Sequence, residues 1–365
     1  MPILRPEIAA LTPYEVGRPI EEVVRERGID PADVVRLTAN ESPEGPFPGV
    51  HEAAVAAMHL SNRYPDNDSL ELTAALAGEL GVGQPNLLMG NGSVALIAEI
   101  TSAVGGAGTN VVYGWPSFVM YRFAAIWAGS AFKEVPLDAS FELDLAGIGE
   151  TIDEQTRVVF LCNPNNPTGT IKAADDVEAF IRSVSSDVLV VVDEAYHDFV
   201  TDDRYRTAIP LAVELPNVVV LRTFSKVYAL AAHRVGYAVG RHETLVELRK
   251  VQVPLVVSRV AQAVALASLG QPEEVARRVA ANSAGRHHIS GALAERGLQQ
   301  VDSHTNFIYF KMPIGDSRMV SDELTNRGVI IRPMSGGWMR VSIGSEADNR
   351  RFVGALDEVL IGDLA

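Results

Sequence analysis

The chain has 365 residues, 47% of them hydrophobic, which is enough for two domains or for one large domain with a smaller one attached. Its formal net charge of −15 argues against a general nucleic-acid-binding protein, because such proteins need a basic face that displaces counterions. A local group of arginines can still bind a small anion. The single cysteine excludes a disulfide within the chain and favours a reducing compartment.

Residues 1–40 are proline-rich and irregular, apart from a predicted helix in PIEEVVRERG. We assign them to an N-terminal arm and part of a small domain. The N-terminus lacks a basic stretch followed by an apolar core, so we expect no signal peptide. No apolar run approaches the roughly 20 residues that cross a bilayer. We therefore expect a cytoplasmic protein that does not associate with membranes.

Short β-branched runs alternate with amphipathic helical patterns through the middle of the chain. The runs are continuous, which is typical of strands buried on both faces. Their alternation with helices predicts an α/β protein with a mostly parallel central sheet. We expect a large domain at 41–245. The predicted strands are 86–90, 109–114, 156–162, 187–196, 217–224 and 234–240.

A different pattern begins near residue 241. A long helical region is predicted from there to about residue 297, with a kink at Pro254. Three apolar runs follow, TNFIYFKM, GVIIRPM and GWMRVSIG, and a closing helix is predicted in EADNRRFVGALDEVLIG. This pattern predicts a smaller α+β domain at 246–365.

Three of the predicted strands end in polar clusters. The first runs into LCNPNNPTGT, an amide-rich loop with two prolines. The second ends in VVVDEAYHD and the third in VVVLRTFSK. Because ligands of open α/β sheets bind outside the carboxyl ends of the strands, we expect one site where these ends meet.

Lys226 follows the third of these strands in a chain that has only five lysines against 26 arginines. Where charge alone is needed the sequence uses arginine, so a lysine here favours a role for its amine, such as Schiff-base formation. A solvated surface lysine is the alternative. Arg234, eight residues later, is placed to meet a phosphate near Lys226.

Asp193 follows four apolar residues, where a carboxylate is costly unless it is paired. A cationic ring nitrogen is a fitting partner, and a helix N-cap is the alternative.

The turn in LLMGNGSVALI lies between a strand and a helix, where free N–H groups bind phosphate. It lacks the third glycine of the dinucleotide fingerprint, so we predict no NAD site.

Other catalytic centres are disfavoured. Cys162 lies in an apolar strand, which indicates an inert buried thiol rather than a nucleophile. The eight histidines show no spacing typical of metal ligands, and there is no G-x-S-x-G elbow. We expect no metal site and no serine hydrolase.

The motifs NPNNPTG, DEAY and RTFSK…HRVGYAVG have the order and spacing of the fold-type-I pyridoxal-phosphate aminotransferases, which the chain resembles over nearly its whole length. YEVGRPIEEVVRERGI, NRYPDN and MRVSIG are similar to the histidinol-phosphate branch, to which aromatic aminotransferases are very close. The resemblance implies that fold, pyridoxal 5′-phosphate as the cofactor, and a homodimer.

The resemblance also implies roles for individual residues. Lys226 would form the Schiff base and then shuttle the proton, and Asp193 would pair with the pyridinium nitrogen. Asn166 and Tyr196 would hydrogen-bond the phenolate oxygen. Lys226, Asp193 and Tyr196 are thus the implied catalytic residues. Further implied cofactor contacts are Gly92, Ser93, Val94, Thr223, Ser225 and Arg234 at the phosphate, Phe118 stacked on the ring, and Tyr64 from the neighbouring subunit.

For the substrate, Arg340 would bind the anionic end, with Arg332 as a second contact, while Tyr14 and Asn40 would close over it. The sequence departs from the histidinol-phosphate pattern in two places. Many relatives have an acidic pair where this chain has Val94 and Ala95, and many histidinol-phosphate enzymes have tyrosine where it has Phe118. These departures bear on the substrate and not on the chemistry.

We therefore predict an aminotransferase that converts L-histidinol phosphate and 2-oxoglutarate to imidazole-acetol phosphate and L-glutamate. An aromatic amino-acid aminotransferase for phenylalanine or tyrosine is the first alternative. A lyase or decarboxylase with the same lysine is another, and it needs no oxo-acid acceptor. A cofactor-binding regulator is disfavoured, since no DNA-binding domain is visible.

Overall fold

The computed structural model describes residues 3–14, 19–313 and 316–362. Four residues of the N-terminal motif, 15–18, therefore lie outside the described residues. The described strands form one seven-stranded and one four-stranded sheet. Their bounds are β1 Val35–Leu37, β2 Leu87–Gly90, β3 Asn110–Trp115, β4 Ala131–Pro136, β5 Thr156–Cys162, β6 Leu189–Asp193, β7 Val218–Thr223, β8 Gly236–Gly240, β9 Phe307–Lys311, β10 Val329–Pro333 and β11 Trp338–Ser342.

The helices pack against both faces of the large sheet and against one another around the small sheet. None of the described helices is long and apolar enough to cross a membrane. Their bounds are α1 Pro6–Ala9, α2 Ile20–Arg27, α3 Val50–Met58, α4 Leu70–Leu80, α5 Gly92–Val104, α6 Met120–Ala128, α7 Leu145–Thr151, α8 Ala174–Ser183, α9 Ile209–Glu214, α10 His242–Arg249, α11 Arg259–Ser268, α12 Pro272–Glu295, α13 Ser317–Asn326 and α14 Glu346–Gly362.

The large sheet has the strand order β2-β8-β7-β6-β5-β3-β4, in which only β8 pairs antiparallel to its neighbours. In the central strands β5, β6 and β7 every residue except Arg157 is buried. Helices cover both faces, so side chains pointing either way are enclosed, and this explains the continuous apolar runs. The predicted mostly parallel α/β sheet is confirmed.

The small sheet has the order β1-β10-β11-β9, with β1 parallel to β10 and the other pairs antiparallel. Its apolar face packs on α12, α13 and α14, around buried side chains such as Leu324, Phe310 and Phe352. The predicted α+β character of this region is confirmed. The N-terminal strand β1 joins this sheet, although it precedes the large sheet in the chain.

The predicted single helical region from 241 to about 297 is wrong, because it contains three helices. Pro254 does not merely kink a helix. No helix spans 250–258, and Leu255 has a φ of +61°. A proline disfavours helical backbone in the residue before it and supplies no N–H. The Ser258 side chain then caps α11 by accepting the N–H of Ala261 at 3.1 Å.

The first helix after this break, α11, packs with the large sheet. Ala261, Val264 and Ala265 are buried in the core on one face of that sheet. The division into residues 1–40, 41–245 and 246–365 stays a prediction.

Candidate active site

The site is a cavity of about 300 Å³ at the carboxyl ends of β5, β6 and β7, next to the small sheet. Parallel strands end at the same edge, so their polar residues meet there as the sequence predicts. Most of the sequence-predicted residues line this cavity: Tyr14, Asn40, Ser93, Val94, Phe118, Asn166, Asp193, Tyr196, Thr223, Ser225, Lys226, Arg234, Arg332 and Arg340.

Lys226 enters the cavity just beyond the end of β7. Its Nζ donates to the backbone oxygens of Asn40 at 3.1 Å and Ala39 at 3.3 Å. Burial lowers the pKa of Lys226 to about 8, and the positive charges of Arg340 and Arg234 act in the same direction. A substantial fraction of the amine is therefore neutral near pH 8, as a nucleophile or proton acceptor requires.

Asp193 is the last residue of β6 and is 2% exposed. Its Oδ2 accepts the hydroxyl of Tyr121 at 2.9 Å, and its Oδ1 accepts the N–H of Ala195 at 3.1 Å. Burial raises the pKa of Asp193 to about 6. Ala195, whose N–H it accepts, does not begin an α-helix, so Asp193 is not the N-cap of one. The carboxylate instead lines the cavity, where a partner for a cation is expected.

The amide-rich loop after β5 is held by two of its three asparagines. Asn163 accepts the N–H of Lys172 at 2.9 Å, and Asn165 donates to the backbone oxygen of Pro116 at 3.0 Å. The third amide, Asn166, lines the cavity, where its Oδ1 accepts Nη1 of Arg340 at 2.6 Å. The loop therefore presents one amide to the cavity from a fixed backbone.

Two arginines of the small sheet face the same cavity. Arg332 on β10 and Arg340 on β11 are directly paired across the strands. Nη2 of Arg340 donates to the backbone oxygen of Thr38 at 2.6 Å, and its buried Nε has no hydrogen-bond partner among the described residues. The Arg332 guanidinium lies 5.6 Å from the centre of the Tyr14 ring. Two guanidinium groups side by side have the chemistry that suits an anion.

Asn40 connects the small sheet to Tyr196. Its Nδ2 donates to the Tyr196 hydroxyl at 2.9 Å, and its Oδ1 accepts the hydroxyl of Ser342 at 3.1 Å. Asn40 is 1% exposed and has a φ of +54°. Burial raises the pKa of Tyr196, so its hydroxyl remains protonated and can donate.

A cradle of donors lies at the other end of the cavity. The 13-residue helix α5 begins at Gly92, and Ser93 in its first turn lines the cavity. Thr223 donates its hydroxyl to that of Ser225 at 2.9 Å. Gly92 has a φ of +72°, and a Cβ there would lie 2.6 Å from Nη2 of Arg234. The turn thus needs a glycine both for its backbone and to admit the guanidinium.

Aromatic and apolar side chains form the outer wall. Phe118 and Val94 line both the active-site cavity and an adjoining one of about 530 Å³, whose lining also includes Phe123 and Trp127. Tyr14, 47% exposed, contacts the edge of Phe123 with 6.5 Å between ring centres. An apolar ring therefore has space next to the arginine pair.

Two of the predicted residues do not line the cavity. Gly92 lies behind Arg234, as its contact shows. Tyr64 is 83% exposed, and its backbone oxygen accepts Nη2 of Arg259. Its predicted contact with a neighbouring subunit stays a prediction.

Tyr121 and the place of Cys162 in the site were not predicted from the sequence. Cys162 is paired with Asp193 in the sheet and lines the cavity, but it is 2% exposed. Burial raises the pKa of its thiol to about 12, in keeping with an inert thiol. Tyr121 lies on α6, in a helical pattern that gives no indication of a polar role.

The model of the aminotransferase class I and II family matches residues 32–356. The chain belongs to this family. It is 38% identical to a histidinol-phosphate aminotransferase of Moorella thermoacetica, over 99% of this chain and 94% of that protein. It is 36% identical to an aromatic amino acid aminotransferase of Streptomyces coelicolor, over 98% of this chain and 97% of that protein. The crystal structure of a histidinol-phosphate aminotransferase from Sinorhizobium meliloti in complex with pyridoxal-5′-phosphate superposes with a TM-score of 0.91, at 29% identity over 99% of this chain and 98% of that one.

The predicted family, fold and cofactor are confirmed by these matches. The protein is a pyridoxal-phosphate-dependent aminotransferase with the fold of those enzymes. The cavity fits this cofactor. The lysine amine of lowered pKa suits the aldehyde of the cofactor, and the buried carboxylate suits its cationic ring. The start of α5, with an arginine and two hydroxyls beside it, suits the phosphate. Among the described residues, no group of three or more His, Cys, Asp or Glu side chains is placed to bind a metal.

Proposed function

We propose that this enzyme transfers the amino group of L-histidinol phosphate to 2-oxoglutarate, giving imidazole-acetol phosphate and L-glutamate. The observation that carries the proposal is the pair Arg332 and Arg340, which share the cavity of Lys226. Two guanidinium groups suit a dianionic phosphate on the donor, and they also suit the carboxylates of the acceptor. The apolar wall with Phe118 and Tyr14 suits the imidazole ring.

In this proposal pyridoxal phosphate, when bound, supplies the carbon that takes the amino group and a ring that accepts electron density. Lys226 would release the cofactor to the amino donor, and its neutral amine would then move the proton from the donor carbon to the cofactor carbon that takes the amino group. The pKa of about 8 supports this role, since the amine accepts and loses a proton near neutral pH.

Asp193, in its ionised form, would hold the cationic ring nitrogen. Asn166 and Tyr196 would donate hydrogen bonds to the phenolate oxygen attached to the ring. The donors are fixed before the substrate enters, because Asn166 is part of a held loop and Tyr196 is bound by Asn40. Arg340 contacts Asn166 directly, so an anion bound there is coupled to the cofactor site.

At the phosphate, Gly92, Ser93, Val94, Thr223, Ser225 and Arg234 form the proposed cradle. Its N–H groups point out of the start of α5, where the helix dipole also favours an anion. Thr223 and Ser225 are 7% and 8% exposed, so their hydroxyls are shielded from bulk water.

An aromatic amino-acid aminotransferase is the second candidate, and the adjoining cavity of about 530 Å³ favours it. None of its lining residues carries a charge, and its walls include Phe123 and Trp127. A phenyl or phenol ring fits such a surface, with the donor's carboxylate on Arg340.

Glutamate formation from 2-oxoglutarate tests the proposal with four donors: L-histidinol phosphate, L-histidinol, L-phenylalanine and L-tyrosine. We expect the phosphorylated donor to be used best. Arg332→Gln should raise its KM about 10- to 100-fold, from the loss of a charge-assisted hydrogen bond. Arg350→Gln, which removes an exposed arginine on α14, is the control. Preference for phenylalanine would move the enzyme to the second candidate, and repeated turnover without any oxo acid, beyond one product per active site, would indicate a lyase.

We further propose a cytoplasmic homodimer in which Tyr64 reaches the cofactor phosphate of the partner. Tyr64 is accompanied by other exposed apolar side chains in the same part of the chain, Met58, Leu60 and Leu70. Exposed apolar side chains of this kind suit burial by a second copy. Mass measurement in solution tests the dimer. Mixing Tyr64→Ala with Lys226→Ala subunits tests the crossing, since one site in each mixed dimer would regain both residues.

A further inference from the structure

The Tyr121 hydroxyl contacts the carboxylate of Asp193. Tyr121 is fully buried on α6, and its hydroxyl donates to Oδ2 of Asp193 at 2.9 Å. The other oxygen, Oδ1, accepts the N–H of Ala195 at 3.1 Å. Each oxygen therefore has a donor from the protein, and these two donors fix the plane of the carboxylate.

The Tyr121 ring has little freedom to move. It stacks on Phe160, with 4.5 Å between ring centres and 9° between planes. Phe118 meets it edge-on at 5.8 Å, and Tyr113 lies 5.7 Å away. The position of the hydroxyl is thus set by packing and does not depend on Asp193 alone. Through Phe118, the same ring also supports the proposed stacking wall of the cofactor.

The charge state of Asp193 depends on a few neighbours. Burial raises its pKa to about 6, and the hydrogen bonds from Tyr121 and from the Ala195 N–H oppose this rise. Burial and the nearby Asp193 carboxylate raise the pKa of Tyr121 far above its ordinary value, so its hydroxyl remains a neutral donor. The titratable groups around Asp193 are Tyr121 on α6, Cys162 on β5, Glu194 next in the chain, Lys226 beyond β7, and the more distant Tyr196 and Tyr205.

We propose that Tyr121 is a positioning residue that keeps Asp193 ionised and aimed at the cofactor. The inference rests on the role proposed for Asp193 as the partner of the ring nitrogen. Without the hydroxyl, the buried carboxylate loses a hydrogen bond that favours its charged form. It then takes up a proton at a higher pH and no longer pairs with a cation.

The test is the dissociation constant of pyridoxal phosphate, measured from pH 5.5 to 9. Tyr121→Phe removes one oxygen and keeps the stacked ring. Tyr113→Phe is the matched control, because Tyr113 is equally buried but its hydroxyl donates to Glu134, which Arg122 also binds. As the pH is lowered, cofactor binding by Tyr121→Phe should begin to weaken about one to two pH units above the pH at which the wild type weakens. Tyr113→Phe should follow the wild type.

Coincident curves for the two variants would overturn the role of Tyr121, as would a loss in Tyr121→Phe that is the same at every pH. Asp193→Asn separates this failure from that of the proposed function. It should bind the cofactor weakly at every pH, without the further loss of binding at acidic pH. If Asp193→Asn instead binds like the wild type, Asp193 is not the ring partner, and the proposal falls with it.

Discussion

Replacing Gly92 with alanine should weaken cofactor binding through Arg234. An added Cβ would lie 2.6 Å from Nη2 and 3.3 Å from Cζ of Arg234, whereas carbon contacts are normally about 3.5 Å or more. The guanidinium must therefore move by roughly 1 Å. Loss of one charge-assisted hydrogen bond to the phosphate costs about 1.5–3 kcal/mol, which is about 10- to 100-fold in the dissociation constant.

Gly81→Ala is the control for backbone strain. Gly81 has a φ of +66° at the end of α4, close to the +72° of Gly92, but no atom lies within 4 Å of its Cβ position. Both variants should lose about 1–2 kcal/mol of stability from the left-handed backbone, seen as similar falls in Tm. Only Gly92→Ala should bind the cofactor more weakly in an absorbance titration. Equal dissociation constants in the two variants would refute the contact as the reason for the glycine.

Three further outcomes follow from the same structure. Lys226→Ala should abolish turnover and the absorbance of the lysine-bound cofactor, and near-wild-type turnover would remove its role. The rate at which the apoprotein binds the cofactor should rise with pH towards about 8, the pKa of Lys226. Arg340→Gln should move this rise to higher pH, because it removes a positive charge near Lys226. An unchanged pH profile in this variant would contradict the coupling. Arg222→Met should destabilise the protein by about 3–5 kcal/mol in denaturant unfolding, because it leaves the buried Glu194 unpaired; a loss below about 1 kcal/mol would show that Glu194 finds other partners.

The raised pKa of Asp193 also has a consequence for stability. The folded state binds this proton more tightly than the unfolded state, whose pKa is near 3.8, so stability falls as the pH rises from about 4 to about 6. Asp193→Asn does not carry this cost. Its apoprotein should be more stable than the wild type above pH 6, by at most about 3 kcal/mol, and the gap should close below pH 4. A gap that is constant with pH would contradict the assignment.

Strands buried on both faces were the easiest elements to predict. The bounds of β5, Thr156–Cys162, are those of the predicted run, because both faces are covered and the whole strand is apolar. The strand β4, Ala131–Pro136, was not predicted. It lies at the sheet edge with only Val135 buried, so its sequence, AFKEVP, carries little of the strand pattern. The three-residue β1 is too short for any periodicity.

Polar residues at the last position of a strand or just beyond it were identifiable, because their polarity contrasts with the apolar residues before them. Lys226, Asp193 and Asn166 are of this kind. Tyr121 is not, since it is one more aromatic residue on an amphipathic helix. Its importance depends on a contact with a residue 72 positions away, which only the packing of α6 on the sheet reveals.

A single half-reaction without an acceptor distinguishes the proposed donor from the aromatic one. The cofactor-loaded enzyme is mixed with L-histidinol phosphate or with L-phenylalanine, and the conversion of the cofactor to its amino form is followed by absorbance. We expect much faster conversion with L-histidinol phosphate, and loss of that advantage in Arg332→Gln. Faster conversion with L-phenylalanine would contradict the proposed donor, and no conversion with either would contradict the proposed function.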